Sequence, residues 1–477
     1  VLPNLLSSVF SNAWTFALAL LLLGLSIFVH ELGHFLTARR RGVKVERFSI
    51  GFGPAIWSRR GRDGVEYRIS WIPLGGYVLL PQLADLGAIE GQSELDLAQL
   101  PPVSYATKMI VFVAGAAFNT LFAFVLACVL TIIGVPENGL TATTRIGYVA
   151  PTIELADGTK VPSPALQAGL RSGDTIRAID GHAVKDWNEV QFSLKLGDGH
   201  TETGERRVLV TAERAGRLID FSLQPQLAGE EKERRIGIAP GCDLFVLQID
   251  PRSPAELAGF QKGDQLLRLD DTLTLLPEVV QEHLDAAHAR PITAHVLRAG
   301  VERTLTIPAR PAAKPADNFG LWFATGLRLT HPSPFTLLAD QVKLTFRSLW
   351  SFLSPHSDIG LSKASGVVGI LRVFQSAAEA GIRAALFITI LVNVNLAICN
   401  LLPIPVLDGG QMLFATVGRL RGRSLPVNLV VTAQSVCFVL LISFILYVGF
   451  FDVRRWVRDV QADRAEAAAR ATAPAKP

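Results

Sequence analysis

Four stretches of this 477-residue chain carry no Asp, Glu, Lys, Arg or His: the start to Val29, Met109 to Val135, Ala384 to Leu407, and Ser424 to Phe451. Nothing else in the sequence constrains the fold as strongly. About 20 apolar residues suffice to cross a bilayer as a helix, and lipid leaves the backbone few other ways to satisfy its hydrogen bonds. Four transmembrane helices are therefore expected. The first span is followed, not preceded, by basic residues and shows no small-residue cleavage site, so it is expected to be retained rather than removed as a signal peptide.

The remainder is not membrane-like. The chain is 49% hydrophobic and 18% charged, with a mean hydropathy of +0.34, which suits spans combined with soluble modules. A net charge of +4 without a long basic run gives nucleic-acid binding no support. Cys128, Cys399 and Cys437 lie in apolar runs and Cys242 in a polar region, so no disulfide framework is indicated.

Arg39, Arg40, Arg41, Lys44 and Arg47 crowd beyond the first span and assign that end to the cytoplasm. Alternation then places the loop to Lys108 inside, Glu137 to Arg383 outside, and Arg419, Arg421 and Arg423 inside. Arg454, Arg455 and Arg458, after the fourth span, run against this pattern.

The polar region between spans two and three contains a repeat. "SPALQAGLRSGDTIRAIDG" begins at Ser163 and "SPAELAGFQKGDQLLRLDD" at Ser253, 90 residues later, which implies two copies of one small domain. Each has a Ser-Pro helix start, a glycine turn, a Gly-Asp turn and an alternating strand. The pattern resembles PDZ domains, and the resemblance implies grooves able to take an extended peptide by strand addition. Further on, Phe335, Leu338, Val342, Phe346 and Leu349 form a helical stripe. It suits a helix lying on the outer membrane surface, and equally one packed on the second repeat.

The first ionisable residues of the chain fall in "HELGH", His30 to His34, within the continuing first helix. Charge at membrane depth is expensive, which makes such a cluster a functional candidate. His30 and His34, four apart, project from one helix face and are spaced to grip one ion, while Glu31 is placed to take a proton from a water that zinc acidifies. A catalytic zinc usually takes a third protein ligand. The soluble metzincin pattern would need glycine at 37 and histidine at 40, where this chain has Thr37 and Arg40. The best candidate is Asp408 in "NLLPIPVLDGGQM", Asn400 to Met412, read as the close of the third span. There Pro403, Pro405, Gly409 and Gly410 prevent a regular helix, and the topology sets both motifs at one depth.

HELGH, the paired PDZ-like repeats and "NLLPIPVLDGG" together resemble the site-2 proteases, in the bacterial regulator of sigma-E protease group. The resemblance covers nearly the whole chain. It implies an intramembrane zinc metalloprotease that cuts membrane-spanning anti-sigma factors after an earlier external cleavage. Its zinc ligands would be His30, His34 and Asp408, its general base Glu31 and its substrate-contacting asparagine Asn400. It further implies that "EYRISWIPLGGYVLL", Glu66 to Leu80, is a membrane-associated hairpin offering a strand edge to substrate, accompanied by "SIGFGPAIW". The family's Gly-Pro before an asparagine in the second span is here "GAAFN", with Gly115 and Asn119 retained and Ala116 in the proline position. A close helix contact at Gly115 is expected.

The expected fold is thus an α-helical polytopic membrane protein, four transmembrane helices with a membrane-associated β-hairpin, plus two α+β PDZ-like domains. In chain order the boundaries are 1–38 for the first span, 39–107 for the cytoplasmic-side region with the hairpin, 108–135 for the second span, and 136–234 and 235–312 for the two PDZ-like domains. An external amphipathic segment, 313–382, precedes the third span with its LDG motif, 383–410, the fourth span, 424–451, and a polar tail, 452–477. The expected setting is the bacterial inner membrane, with the active site toward the cytoplasm and the PDZ-like domains in the periplasm. Expected partners are a single-span membrane protein substrate, membrane lipid and a peptide ligand of the PDZ-like grooves, without nucleic acid. Two other readings use the same residues: the same enzyme acting on remnant signal peptides, and a non-catalytic PDZ scaffold with a structural metal.

Overall fold

The computed structural model describes residues 13–83, 100–229, 232–287, 289–309, 319–326, 328–358, 363–364, 366–423 and 425–472. The start of the first span, part of the 39–107 region and the end of the polar tail lie outside them. The chain divides into two compact units. One comprises Val1–Val135, His331–Phe346 and Leu361–Pro477, and the other Pro136–Thr330 and Arg347–Gly360.

The first unit is built on α1 (Ala13–Arg40), α2 (Tyr105–Ile133), α3 (Pro334–Leu353, which continues into the second unit), α4 (Val367–Glu379), α5 (Ile382–Asn400), α6 (Asp408–Leu420) and α7 (Val427–Thr472). Among the described residues, α1, α2, α5 and Val427–Gln461 of α7 are long and apolar enough to cross a membrane. Ser104 opens α2, its hydroxyl accepting from the Thr107 N–H at 3.2 Å, and Gly134 closes it at φ 73°. In lipid, where burial of apolar surface gives little drive for association, small residues let helices approach. On α2 these are Ala114, Gly115, Ala116, Ala123 and Ala127, all buried. At Gly33 of α1 an added Cβ would stand 2.5 Å from the Ala114 carbonyl oxygen. A buried polar tie joins α5 to α1, Asn393 Nδ2 donating to Ser26 Oγ at 2.8 Å.

Three features of the helices refine the sequence expectation. The third span stops at Asn400, and Asp408 opens α6 after a turn over Leu401–Leu407. The segment 383–410 is therefore two helices around the break expected at Pro403 and Pro405, which cannot continue the hydrogen-bond ladder, and Asp408 opens the second helix rather than closing the span. The amphipathic stripe also divides. Leu338 packs, with Leu337, among residues of α2 and α5, and Gln341 and Thr345 are buried, whereas Phe335, Val342 and Phe346 stay exposed. The start of α3 thus lies against the spans. Finally, two of the basic residues after the fourth span, Arg455 and Arg458, are matched by acids. Arg455 pairs with Asp452 at 2.7 Å, and Asp459 pairs with Arg458 at 3.2 Å and Arg372 at 3.0 Å. Asp452 also accepts from the Gly366 and Gly369 N–H groups at 2.9 and 2.8 Å, capping α4 from another helix.

Two long strands, β1 (Arg47–Arg60) and β2 (Glu66–Leu79), form the sheet of this unit. Its register corrects the expected simple hairpin within Glu66–Leu80. Arg47 to Ile50 pair with Leu79 back to Gly76 on one side and with Glu66 on to Ile69 on the other. The arms of the Pro-Leu-Gly-Gly reversal are thus separated by β1, whose own reversal uses Gly51 and Gly53 at φ 88° and 85°. Trp57, Trp71, Ile56 and Ile72 remain exposed on this sheet, as suits an element in contact with lipid.

In the second unit, the two sequence repeats have matching structures. In the first, Arg217–Leu223, Val208–Arg214, Thr175–Ile179 and His182–Ala183 are neighbours in that order. In the second, Val301–Ile307, Ile292–Arg298, Gln265–Leu269 and Thr272–Leu273 follow the same order, with Leu244–Ile249 added on Gln265–Leu269 and Leu321–Ala324 beyond it on Leu244–Ile249. Ser163 and Ser253 cap equivalent short helices. Arg214 grips the buried Asp174 and the Gly169 carbonyl, and Arg298 does the same with Asp264 and Gly259.

Asp358 fastens the end of the Arg347–Gly360 segment to the first repeat, accepting from Arg206 at 2.8 Å and from the fully buried Arg234 at 2.6 Å. Burial pushes its carboxyl pKa up, but the two arginines outweigh this and hold it below the ordinary value. A depressed carboxyl pKa contributes stability above the unfolded-state value of about 3.9 and loses it as pH falls through the folded-state value. Asp358→Asn leaves Arg234 buried and charged, and is expected to cost about 3–5 kcal/mol at pH 7. Thermal unfolding of both proteins at pH 7 and at pH 3 checks this, the gap between them shrinking at the lower pH.

Candidate metal centre

The centre is assembled from α1, α2, α5 and α6. His30 and His34 lie one turn apart on α1, both buried, with ring centroids 4.8 Å apart. Asp408 is the first residue of α6, brought to them because Gly409 and Gly410 let the helix start press against the preceding turn. A Cβ on Gly409 would collide with the Leu401 and Leu402 carbonyls, and one on Gly410 with that of Ile404.

The three donor atoms converge. His30 Nε2 and His34 Nε2 are 3.1 Å apart, and Asp408 Oδ2 stands 3.3 Å from the first and 3.4 Å from the second. A tetrahedral zinc with bonds of about 2.0–2.2 Å holds donors roughly 3.3–3.6 Å apart. Both distances to Asp408 fall in that range and the imidazole pair is about 0.2 Å closer, so the donors sit near the spacing, and have the chemistry, that the ion takes. Among the described residues this is the group of His, Cys, Asp or Glu able to share a metal.

Glu31 lines the same cavity, of about 430 Å³, as do Asn400 and Gly76 to Val78 of β2. A Cβ on Gly76 would come within 3.0 Å of Glu31 Cγ, which explains a glycine at this point of the strand. Asn400, the last residue of α5, holds its Nδ2 3.3 Å from His30 Nε2. His30, Glu31, His34, Asn400 and Asp408 all line this cavity. Sequence reasoning missed the backbone partner of His34, whose Nδ1 lies 2.8 Å from the Val111 carbonyl oxygen. It also expected only a helix contact at Gly115, where an added Cβ would meet both histidine rings.

Two imidazoles and one carboxylate gathered among apolar helices, with a further carboxylate in the same cavity, define a metal-dependent hydrolase that works within a membrane. The model of peptidase family M50 matches residues 18–444. The "Regulator of sigma E protease" of Salmonella typhi is 31% identical over 439 residues, covering 86% of this chain and 92% of the relative. The "Regulator of sigma-E protease RseP" of Escherichia coli K12 is 31% identical over 441 residues with the same coverage. The "Protease RseP" of Yersinia pestis is 30% identical over 446 residues, again 86% and 92%. The chain belongs to peptidase family M50; it is a multi-pass membrane protein and an intramembrane zinc metalloprotease.

Proposed function

We propose that the chain cuts single-span membrane proteins of the anti-sigma-factor type in the bacterial inner membrane, with Glu31 as general base and His30, His34 and Asp408 as zinc ligands. The observation that carries this is the convergence of three donor atoms from two distant motifs at separations close to the edge length of a zinc tetrahedron. When bound, zinc polarises the scissile carbonyl and lowers the pKa of water to about 7. Glu31 accepts the proton from the attacking water and passes it to the leaving nitrogen. Asn400 directs its amide toward the substrate carbonyl and supports the developing oxyanion.

A helical substrate hides its peptide bonds, so it must be held extended. Gly76, Tyr77 and Val78 line the cavity, and among the described residues the register gives Gly76–Leu79 a strand partner on one side only. The other side suits strand addition by the substrate. The active site faces the cytoplasm, in keeping with the arginines that follow α1, and the two repeats are PDZ-like domains in the periplasm. The first repeat supports the latter assignment with a groove of about 350 Å³, walled by Trp187, Val190, Leu194, Ile236 and Ile238. A structural metal site would need four protein ligands, and three are grouped here among the described residues.

Zinc content of the purified protein tests the ligand set. Wild type is expected to hold one equivalent, and His34→Ala and Asp408→Ala to lose it. Full retention in Asp408→Ala would separate the two motifs and remove the carboxylate from the centre.

A further inference from the structure

The two histidine rings stand on α1, but α2 backs both of them. Val111, Gly115 and Asn119 follow at four-residue intervals and so form one stripe of that helix. The Val111 carbonyl can only accept, so His34 Nδ1 carries its hydrogen and Nε2 keeps the lone pair that a metal needs. His30 Nε2, 3.3 Å from Asp408, has the same requirement, and its Nδ1 must then be the protonated nitrogen. The group facing that nitrogen is the side-chain amide of Asn119, at 3.4 Å, from a residue with no exposed surface. Its Oδ1 is buried without a hydrogen-bond partner. The oxygen and nitrogen of an amide exchange by a half-turn, and the hydrogen-bond network decides between them. An N–H of the amide against a protonated Nδ1 sets donor against donor. The half-turn replaces this clash by a hydrogen bond to an oxygen otherwise unused.

We infer that Asn119 is a positioning residue, its Oδ1 accepting the His30 Nδ1 hydrogen and thereby fixing the tautomer and ring angle that present Nε2 to zinc. This rests on the ligand set proposed above. Outer partners of this kind commonly change metal affinity about 10–100-fold. An ordinary packing asparagine would leave that affinity unchanged.

The test is zinc affinity of the full-length protein in detergent, measured by competition with a chromogenic chelator. Asn119→Ala is expected to weaken binding about 10–100-fold. Asn119→Asp, which keeps an acceptor at that place, is expected to bind as wild type does. Wild-type affinity in Asn119→Ala overturns the inference, and so does a loss in Asn119→Asp equal to that in Asn119→Ala. If the alanine variant does not accumulate folded, Asn119→Leu, similar in volume and without an acceptor, takes its place against Asn119→Asp. His34→Ala is carried in parallel. If it retains zinc, the ligand set itself is wrong, whereas loss there with retention in Asn119→Ala refutes Asn119 alone.

Discussion

Glu31→Gln is expected to leave zinc bound at one equivalent while cleavage of a model transmembrane substrate falls by about 10²–10⁴-fold, the range associated with a positioned general base. Glutamine preserves the length and shape of the side chain, so its packing against Gly76 of β2 is kept. It cannot accept a proton from water. The side chain is not one of the three converging donors, so the histidine and aspartate distances need not change. Metal analysis and a cleavage assay on the same preparation separate the two roles. Loss of zinc together with activity would make Glu31 a ligand or a structural support. Undiminished cleavage would exclude it from proton transfer altogether.

The parts of this centre that were legible in the sequence are those that local periodicity or cost makes visible. His30 and His34 share a face because a helix repeats every 3.6 residues, and their position in an apolar stretch set them apart. Asp408 could be joined to them across nearly the whole chain because topology places the two span ends at one depth. The two repeats were visible as self-similarity, and the duplicated Arg214–Asp174 and Arg298–Asp264 pairs show that the likeness extends to packing. Other features leave no such mark. Hydropathy continues through Leu401, Leu402, Ile404, Val406 and Leu407, so the end of α5 at Asn400 was hidden although the prolines announced a break. Alternation in β2 shows that it is a strand but not that Arg47–Ile50 enter between its arms, since register depends on partners distant in sequence. The Val111 carbonyl is a backbone group and has no residue code. Phe335, Val342 and Phe346 are as apolar as either a lipid-facing or a packed stripe would be, so their periodicity left both readings open, and the face that packs is marked instead by Gln341 and Thr345.

Gly115 shows how a residue without a side chain can decide a metal site. An ideal Cβ there would lie 2.5 Å from His30 Cε1 and 2.7 Å from His30 Nε2, and closer still to His34 Nε2. Such separations are well inside van der Waals contact. His34 is tied to Val111 on α2, and at Gly33 the two helices already meet at the Ala114 backbone. Gly115→Ala must therefore turn the imidazoles or part α1 from α2, and either change pulls Nε2 atoms now 3.1 Å apart out of the spacing that one ion requires. The expected result is loss of bound zinc and of cleavage in a protein that still inserts and accumulates, because alanine favours the helix by about 1 kcal/mol over glycine. Gly24→Ala on α1 is the matched control, since an added Cβ there meets nothing within 4 Å and both zinc and activity should be unchanged. Wild-type zinc content and cleavage in Gly115→Ala would mean that the histidine pair does not bind metal against this face of α2.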